Sequence, residues 1–422
     1  MRTVALILFG APLVMHAQRV PTKDLVTFAD AATLKPGEFH KITPADLPRP
    51  FASPSARNFG RVVARPANAW PKAPAGFKVE IYSTDAKAPR KILTAPNGDF
   101  FVAETGSGAI KVFRGIGKDG KPEKMETFAT GLNQPYGLAF YPPGDNPQWL
   151  YVGNTNSVVR FAYKQGDLTA SGKPEVIVKE LPTGGHSTRD LVFSNDGKRM
   201  FVAVGSGSNV DDPDTHHGEF HRANVLEFRP DGNFVKVYAS GIRNPAGLAL
   251  NPITNEVWVS VNERDELGDN LVPDYVSSIK EDGFYGWPYY YMGANPDPRL
   301  DGKHPELKDK TLVPDILLQP HNASLGITFY DGKMFPAEYQ GDLFAAEHGS
   351  WNRANRSGYE VIRVPLNNGK ASGVYEDFLT GFVNEKGEAW GRPVGVTNAK
   401  DGSILVTDDG GNVIWRVSYS GK

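Results

Sequence analysis

The residues of this chain best suited to chemistry sit in short motifs just ahead of apolar strands. GGHSTRD carries His186 immediately before the apolar run that begins at Leu191. An imidazole titrates near neutrality, so this one is either a general base or a loop histidine bonded to neighbouring groups. SGIRNPAGLALNP sets Arg243 and Asn244 at the corresponding place in a later segment. The guanidinium offers a fixed fork of donors for carboxylate or quinone oxygens, and the amide offers both donor and acceptor. The competing role for both is to bond backbone carbonyls at a strand tip. Gln134, Ser187 and Arg392 hold similar tips elsewhere. Tips from several segments that converge on one axis make a site where no single motif does.

Three longer loops add further candidates. VNERDELGDNLVPD contributes Glu263, Asp265, Glu266, Asp269, Asn270 and Asp274. It is rich in oxygen and free of thiols, so calcium is the metal it would suit, although the EF-hand spacing is absent. A solvated acidic loop is the other reading. DDPDTHHGEFH offers His216, His217 and His221, but adjacent histidines point apart in extended chain and no third ligand stands at a matching distance. GFYGWPYYYMG and EHGSWNR supply Trp287, Tyr289, Tyr290 and Trp351. Such rings suit flat ligands and sugars, or pack between structural units; packing is the expectation for Phe284 and Trp287.

What positions these motifs is a repeated phrase: an apolar strand, a Pro/Gly/Asp turn, and a second apolar strand. Copies read RKILTAPNGDFFVAE from Arg90, PYGLAFYPPGDNPQWLYVGN from Pro135, RDLVFSNDGKRMFVAVG from Arg189 and NPAGLALNPITNEVWVSVN from Asn244. Two more start at Ser324 and Arg392. One such unit cannot bury both its faces, whereas radial stacking with closure can. The expectation is therefore an all-β, six-bladed β-propeller of four-stranded antiparallel blades over residues 76–422. GFKVEIYS from Gly76 is expected to pair with the last strand, NVIWRVSY from Asn412, and so close the ring. Residues 18–75 are rich in proline and lack a sustained period, which reads as an extended arm on the body.

Composition sets outer limits. A formal net charge of −2 without a basic run argues against nucleic acid as a partner. Residues 1–17 combine one arginine with an apolar stretch from Val4 to Met15, too short to span a bilayer, and read as a signal peptide for a periplasmic or secreted protein. No other segment has membrane-spanning length. Cysteine is absent, which removes disulfides, thiolate metal sites and covalent haem. A redox cofactor would then be held non-covalently, and its electrons would pass to a separate acceptor such as a cytochrome or a quinone.

From Gly76 to Tyr419 the sequence resembles the glucose/sorbosone dehydrogenase family, soluble quinoproteins that use pyrroloquinoline quinone and calcium. GIRNPAGLAL, NERDELGDNLVPD with GFYGWP, EHGSWNR, and GRPVGV with LVTDDGG carry the likeness, which is nearest the sorbosone-dehydrogenase-like branch. The resemblance implies that His186 is the base for the sugar's anomeric hydroxyl, with hydride passing to the quinone. It implies that Arg243 and Asn244 polarise the reactive quinone carbonyl, that Arg392 binds a cofactor carboxylate, and that Gln134 contacts the cofactor. His348 or Arg353 would supply a further basic contact. The family's two calcium-binding carbonyls fall at Glu263 and Arg264, where a Gly-Pro pair is replaced; a second cofactor arginine is Val394, and an aspartate beneath the histidine is Ser206.

The reading that follows is a periplasmic quinoprotein oxidising an aldose or a sugar aldehyde. Two alternatives stand beside it: a lactonase-type hydrolase with a central metal, and a non-catalytic propeller that binds carbohydrate or protein.

Overall fold

In the computed structural model, residue 21 and residues 25–421 are described; the expected signal peptide lies outside them. Six antiparallel sheets stand in a ring, each beginning at the axis with one copy of the repeat. Blade 1 comprises Ile92–Thr94, Phe100–Glu104, Ala109–Arg114 and Lys124–Ala129. Blade 2 comprises Gly137–Tyr141, Trp149–Asn154, Ser157–Ala162 and Glu175–Val178. Blade 3 runs through Leu191–Phe193, Met200–Val204, Asn224–Phe228 and Phe234–Ser240. Blade 4 uses Pro245–Leu250, Val257–Val261, Pro273–Ser278 and Ile316–Pro320. Blade 5 uses Ser324–Phe329, Leu343–Glu347, Glu360–Val364 and Val374–Leu379. Blade 6 takes Pro393–Asn398, Ile404–Asp408 and Val413–Tyr419 from the C-terminal end, and its outer strand, Phe77–Ser83, from the other end of the ring. The expected six-bladed propeller is the observed fold.

Period-two alternation explains why both faces of each blade are apolar. In blade 1, Phe100 and Val102 face blade 6, whereas Phe101 and Ala103 face blade 2. Every seam between neighbouring blades holds its own buried cluster. Aromatic rings dominate the seam of blades 5 and 6, where Phe344 and Phe378 pack with Trp390 and Trp415. The ring closes where Phe77–Ser83 pairs antiparallel with Val413–Tyr419, in register from Phe77 opposite Tyr419 to Glu80 opposite Arg416.

At the axis the inner strands crowd together. Gly137 and Gly247 show why the repeat carries glycine there: a Cβ on either would sit on the carbonyl oxygen of a neighbouring blade, Arg189 or Leu325. Blades 1 and 3 place Lys91 and Asp190 at that level instead, and their side chains form a buried ion pair at 2.6 Å. Asp190 also accepts from the Leu248 amide of blade 4 at 2.8 Å. Removing one partner of such a pair costs about 3–5 kcal/mol because the other charge is left buried.

Among its described residues the arm makes no sheet of its own. Phe39–Lys41 adds a fifth, outermost strand to blade 5, opposite Glu376, Tyr375 and Val374. Beyond it the chain crosses the loops of blades 4 and 5, with the Phe51 amide donating to Leu267 and the Asn58 amide to Trp351.

Truncation after Val406 removes the partner of Phe77–Ser83 and leaves two sheet edges open, so the product is expected to be insoluble. A soluble truncant with a single cooperative melting transition would show that closure lies elsewhere.

Candidate active site

The segments that enter each blade and those that follow its second strand lie on one face of the ring, and they bring the candidate residues together. His186 ends the entry loop of blade 3. Its Nδ1 lies 2.9 Å from the Ser206 carbonyl oxygen and 3.1 Å from the Ser206 hydroxyl. A carbonyl can only accept, so Nδ1 carries the proton and Nε2 keeps its lone pair. Burial against the loop and the nearby Arg243 charge lower the imidazole pKa to about 3, so the ring is neutral at ordinary pH. Arg222, at the far end of the His-rich loop, fastens this arrangement by donating to the carbonyls of Thr183, His186 and Ser206. His216 and His217 of that loop are exposed, and they gather no metal-ligand set among the described residues.

Arg243 stands beside this histidine at the entrance of blade 4. Its Nε donates to the Asn209 carbonyl at 3.1 Å, one Nη to the Glu263 carbonyl at 2.6 Å, and the other to Asn209 Oδ1 at 3.0 Å. It also pairs with Asp265 at 3.2 Å. Burial alone would raise the Asp265 pKa, but His321 and Arg243 hold it below the usual carboxylate range. The Trp287 indole donates to the Asn209 carbonyl from behind, at 2.9 Å. Asn244 donates to Asn262 Oδ1, and its own Oδ1 is buried without a hydrogen-bond donor.

His186, Arg243, Asp265 and Trp351 line one cavity of about 420 Å³ with Gly207, Ser208 and Glu266. Phe59 of the arm stacks on Trp351 at 5.3 Å, with the rings 5° from parallel.

A second polar group stands across the axis on blades 1, 5 and 6. Arg90 pairs with Asp409 at 2.6 Å, and Asp409 lies 2.8 Å from His348 Nε2. Arg392 donates to the His348 carbonyl at 3.1 Å. Burial, with the adjacent Arg392 charge, lowers the His348 pKa to about 4. Arg353 goes elsewhere, with its guanidinium 3.5 Å from Gln319 Oε1 of blade 4. Gln134 is exposed at the blade 2 tip, where it accepts from Thr155. Tyr136, Ala246, Leu325 and Val394, from four blades, form a buried apolar cluster at the level of these tips.

The two expected calcium positions are backbone carbonyls, and the one on Glu263 accepts from Arg243, which places a positive charge beside any cation bound there. The Glu263 carboxyl is pushed up to about 8 by burial and is largely neutral at pH 7. Arg264 turns away to pair with Asp297 at 2.9 Å. Both oxygens of Asp274 accept backbone amides, from Glu263 and Ala323.

Sequence reasoning passed over Arg90, Asp409, Asn209 and Arg222. Arg90 was legible, because it stands at the entrance of blade 1, in the repeat position that Val394 holds in blade 6. Asn209 and Arg222 lie in a loop whose histidines drew attention instead.

Comparison with known proteins places this geometry. A family profile described as TrAA12-like matches residues 71–282 and 303–420. An uncharacterized protein of Borreliella burgdorferi is 33% identical over 82% of this chain and 90% of its own length. The aldose sugar dehydrogenase YliI of Escherichia coli is 28% identical over 46% of this chain; the match spans 54% of that protein. The holo form of the pyranose dehydrogenase PQQ domain from Coprinopsis cinerea superposes with a TM-score of 0.70 at 20% identity, covering 85% of this chain and all of that domain. The chain belongs to the TrAA12-like family, and the named proteins it resembles are sugar dehydrogenases, one of them a domain that holds pyrroloquinoline quinone.

Proposed function

We propose that this protein is a quinoprotein that oxidises an aldose or a sugar aldehyde, with His186 as the general base. The observation that carries this reading is the pairing in one cavity of a tautomer-fixed, neutral imidazole with a guanidinium. When bound, pyrroloquinoline quinone supplies a two-electron acceptor for hydride. A flat, anionic cofactor suits an apolar cluster flanked by Arg243 on one side and by Arg90, His348 and Arg392 on the other.

The protein's own residues divide the work. His186 Nε2 takes the hydroxyl proton of the sugar, and the Ser206 carbonyl steadies the imidazolium that forms by accepting from Nδ1–H. Ser206 thereby does through its backbone what the family's aspartate does with a side chain. Arg243 provides a fixed positive charge where negative charge develops during hydride transfer; its five N–H groups have protein acceptors, which hold the guanidinium in place before substrate arrives. Asn244 orients a ligand group beside it. Trp351, backed by Phe59, offers an aromatic wall for the sugar. Because Arg243 places a positive charge beside the Glu263 carbonyl, no step is assigned to a calcium ion. Electrons then pass to a separate acceptor, a cytochrome or a quinone, and the N-terminal segment directs export to the periplasm or beyond.

Asp265 and Asp409, carboxylates near the channel, are each paired with arginine. That pairing favours the dehydrogenase over the lactonase reading, which requires carboxylates that converge on a metal.

Three measurements test the assignment. His186→Gln should keep fold and quinone binding but slow quinone reduction by about two to four orders of magnitude in stopped flow, the usual contribution of a positioned base. Reduction at the parent rate would remove His186 from the mechanism. Arg243→Ala should slow reduction by about 10²–10³ and also weaken quinone binding, since the guanidinium contacts cofactor before any chemistry. A parent protein that binds no quinone would favour the non-catalytic propeller. The third concerns pH. A base whose conjugate acid has a pKa near 3 stays unprotonated down to mildly acidic conditions. The reduction rate should therefore show no histidine-type fall between pH 8 and about pH 5, whereas an unperturbed imidazole would give one near its pKa of about 6.5.

A further inference from the structure

The seam where the arm meets blade 5 contains buried polar groups that the proposed chemistry does not use. His40 lies on the arm strand and is fully buried, with its ring stacked on Tyr375 at 4.8 Å. Its Nε2 is 2.8 Å from Asp377 Oδ1. Neither ring nitrogen and neither Asp377 oxygen makes a well-directed hydrogen bond. Glu38 stands opposite Asp377, whose amide donates to the Glu38 carbonyl at 2.9 Å. Glu38, His40 and Asp377 can each offer one ligand atom such that all three atoms lie within 4.8 Å of one another.

A separate residue points to the same place. Glu360, on the neighbouring strand of blade 5, is fully buried beside Asp377, and both of its carboxyl oxygens lack a hydrogen-bond partner. Two buried carboxyl groups side by side, with an unengaged imidazole, are unfavourable unless protons or a cation compensate them.

We propose that Glu38, His40 and Asp377, supported by Glu360, bind a divalent first-row transition ion, zinc or manganese, which clamps the N-terminal arm to blade 5. An imidazole among carboxylates and no thiol selects such an ion over calcium or magnesium, which prefer all-oxygen sets. Glu38 and His40 precede the residues matched by the family profile, so the clamp belongs to this chain's arm rather than to the shared propeller. Its consequence reaches the candidate active site, because the same arm continues to Phe59 on Trp351.

The test uses the full chain stripped with chelator and then titrated with zinc or manganese. The expected result is one equivalent bound, with a rise in melting temperature that follows mass action. Zinc should also protect the segment between residues 42 and 60 from limited proteolysis. His40→Gln and Asp377→Asn should each weaken zinc binding by at least about 100-fold, since outer-shell changes alone cost up to that much. Should either variant fail to fold, pulsed EPR of the manganese-loaded parent decides, because an imidazole ligand gives a nitrogen coupling. A parent that takes up neither ion stoichiometrically would overturn the proposal and leave shared protons as the compensation. Equal or tighter binding of calcium, or a manganese spectrum without nitrogen coupling, would overturn it too.

Discussion

Everything in this molecule depends on closing the ring without a covalent link. Cysteine is absent, so the circle is held by the pairing of Phe77–Ser83 with Val413–Tyr419 and by the six apolar seams. A seam forms only when both neighbours are in place, because each strand sends alternate side chains to two different partners. Closure therefore stabilises every blade, not only the sixth. It also fixes the distance of each blade entrance from the axis, which brings His186, Arg243 and Arg392 to a common face although each lies on a different blade.

The axis shows how tightly that requirement is met. Glycine stands where inner strands nearly touch, and the two exceptions, Lys91 and Asp190, neutralise each other. Above this level the candidate site is built from charges already matched within the protein: Arg243 with Asp265, and Arg90 with Asp409. Such pairing holds donors in position before a ligand arrives, so little reorganisation is required at the moment of reaction. Burial, with the Arg243 charge beside it, keeps the His186 imidazole neutral even though Asp265 opposes that effect.

The arm adds a layer that the repeats do not require. It lengthens blade 5 by one strand, ties the loops of blades 4 and 5 together, and supplies the ring that backs Trp351. Asn352 links these parts by accepting from the Glu266 amide and donating to the Ala56 carbonyl. The walls of the cavity thus come partly from chain outside the repeat, and substrate preference can vary there without disturbing closure.

Architecture and blade order were legible in the chain. Six copies of one phrase, each with apolar residues on both faces of its strands, have no other economical way to bury them, and GFKVEIYS and NVIWRVSY were left over as mutual partners. It also marked His186, Arg243 and Asn244, because a blade entrance is recognisable from the repeat alone. What those side chains touch depends on the folded ring. Ser206 holds His186 through a backbone carbonyl, which no side-chain pattern encodes. Arg243 donates to the Glu263 carbonyl, a contact that the resemblance could not supply. His348 and Arg353 are five residues apart, yet one joins Arg90 and Asp409 while the other reaches Gln319, because the loop between them reverses before Glu360. His40 meets Asp377 across nearly the whole chain for the same reason. Periodicity is local and survives in sequence, whereas a contact between distant segments exists only once the ring has closed.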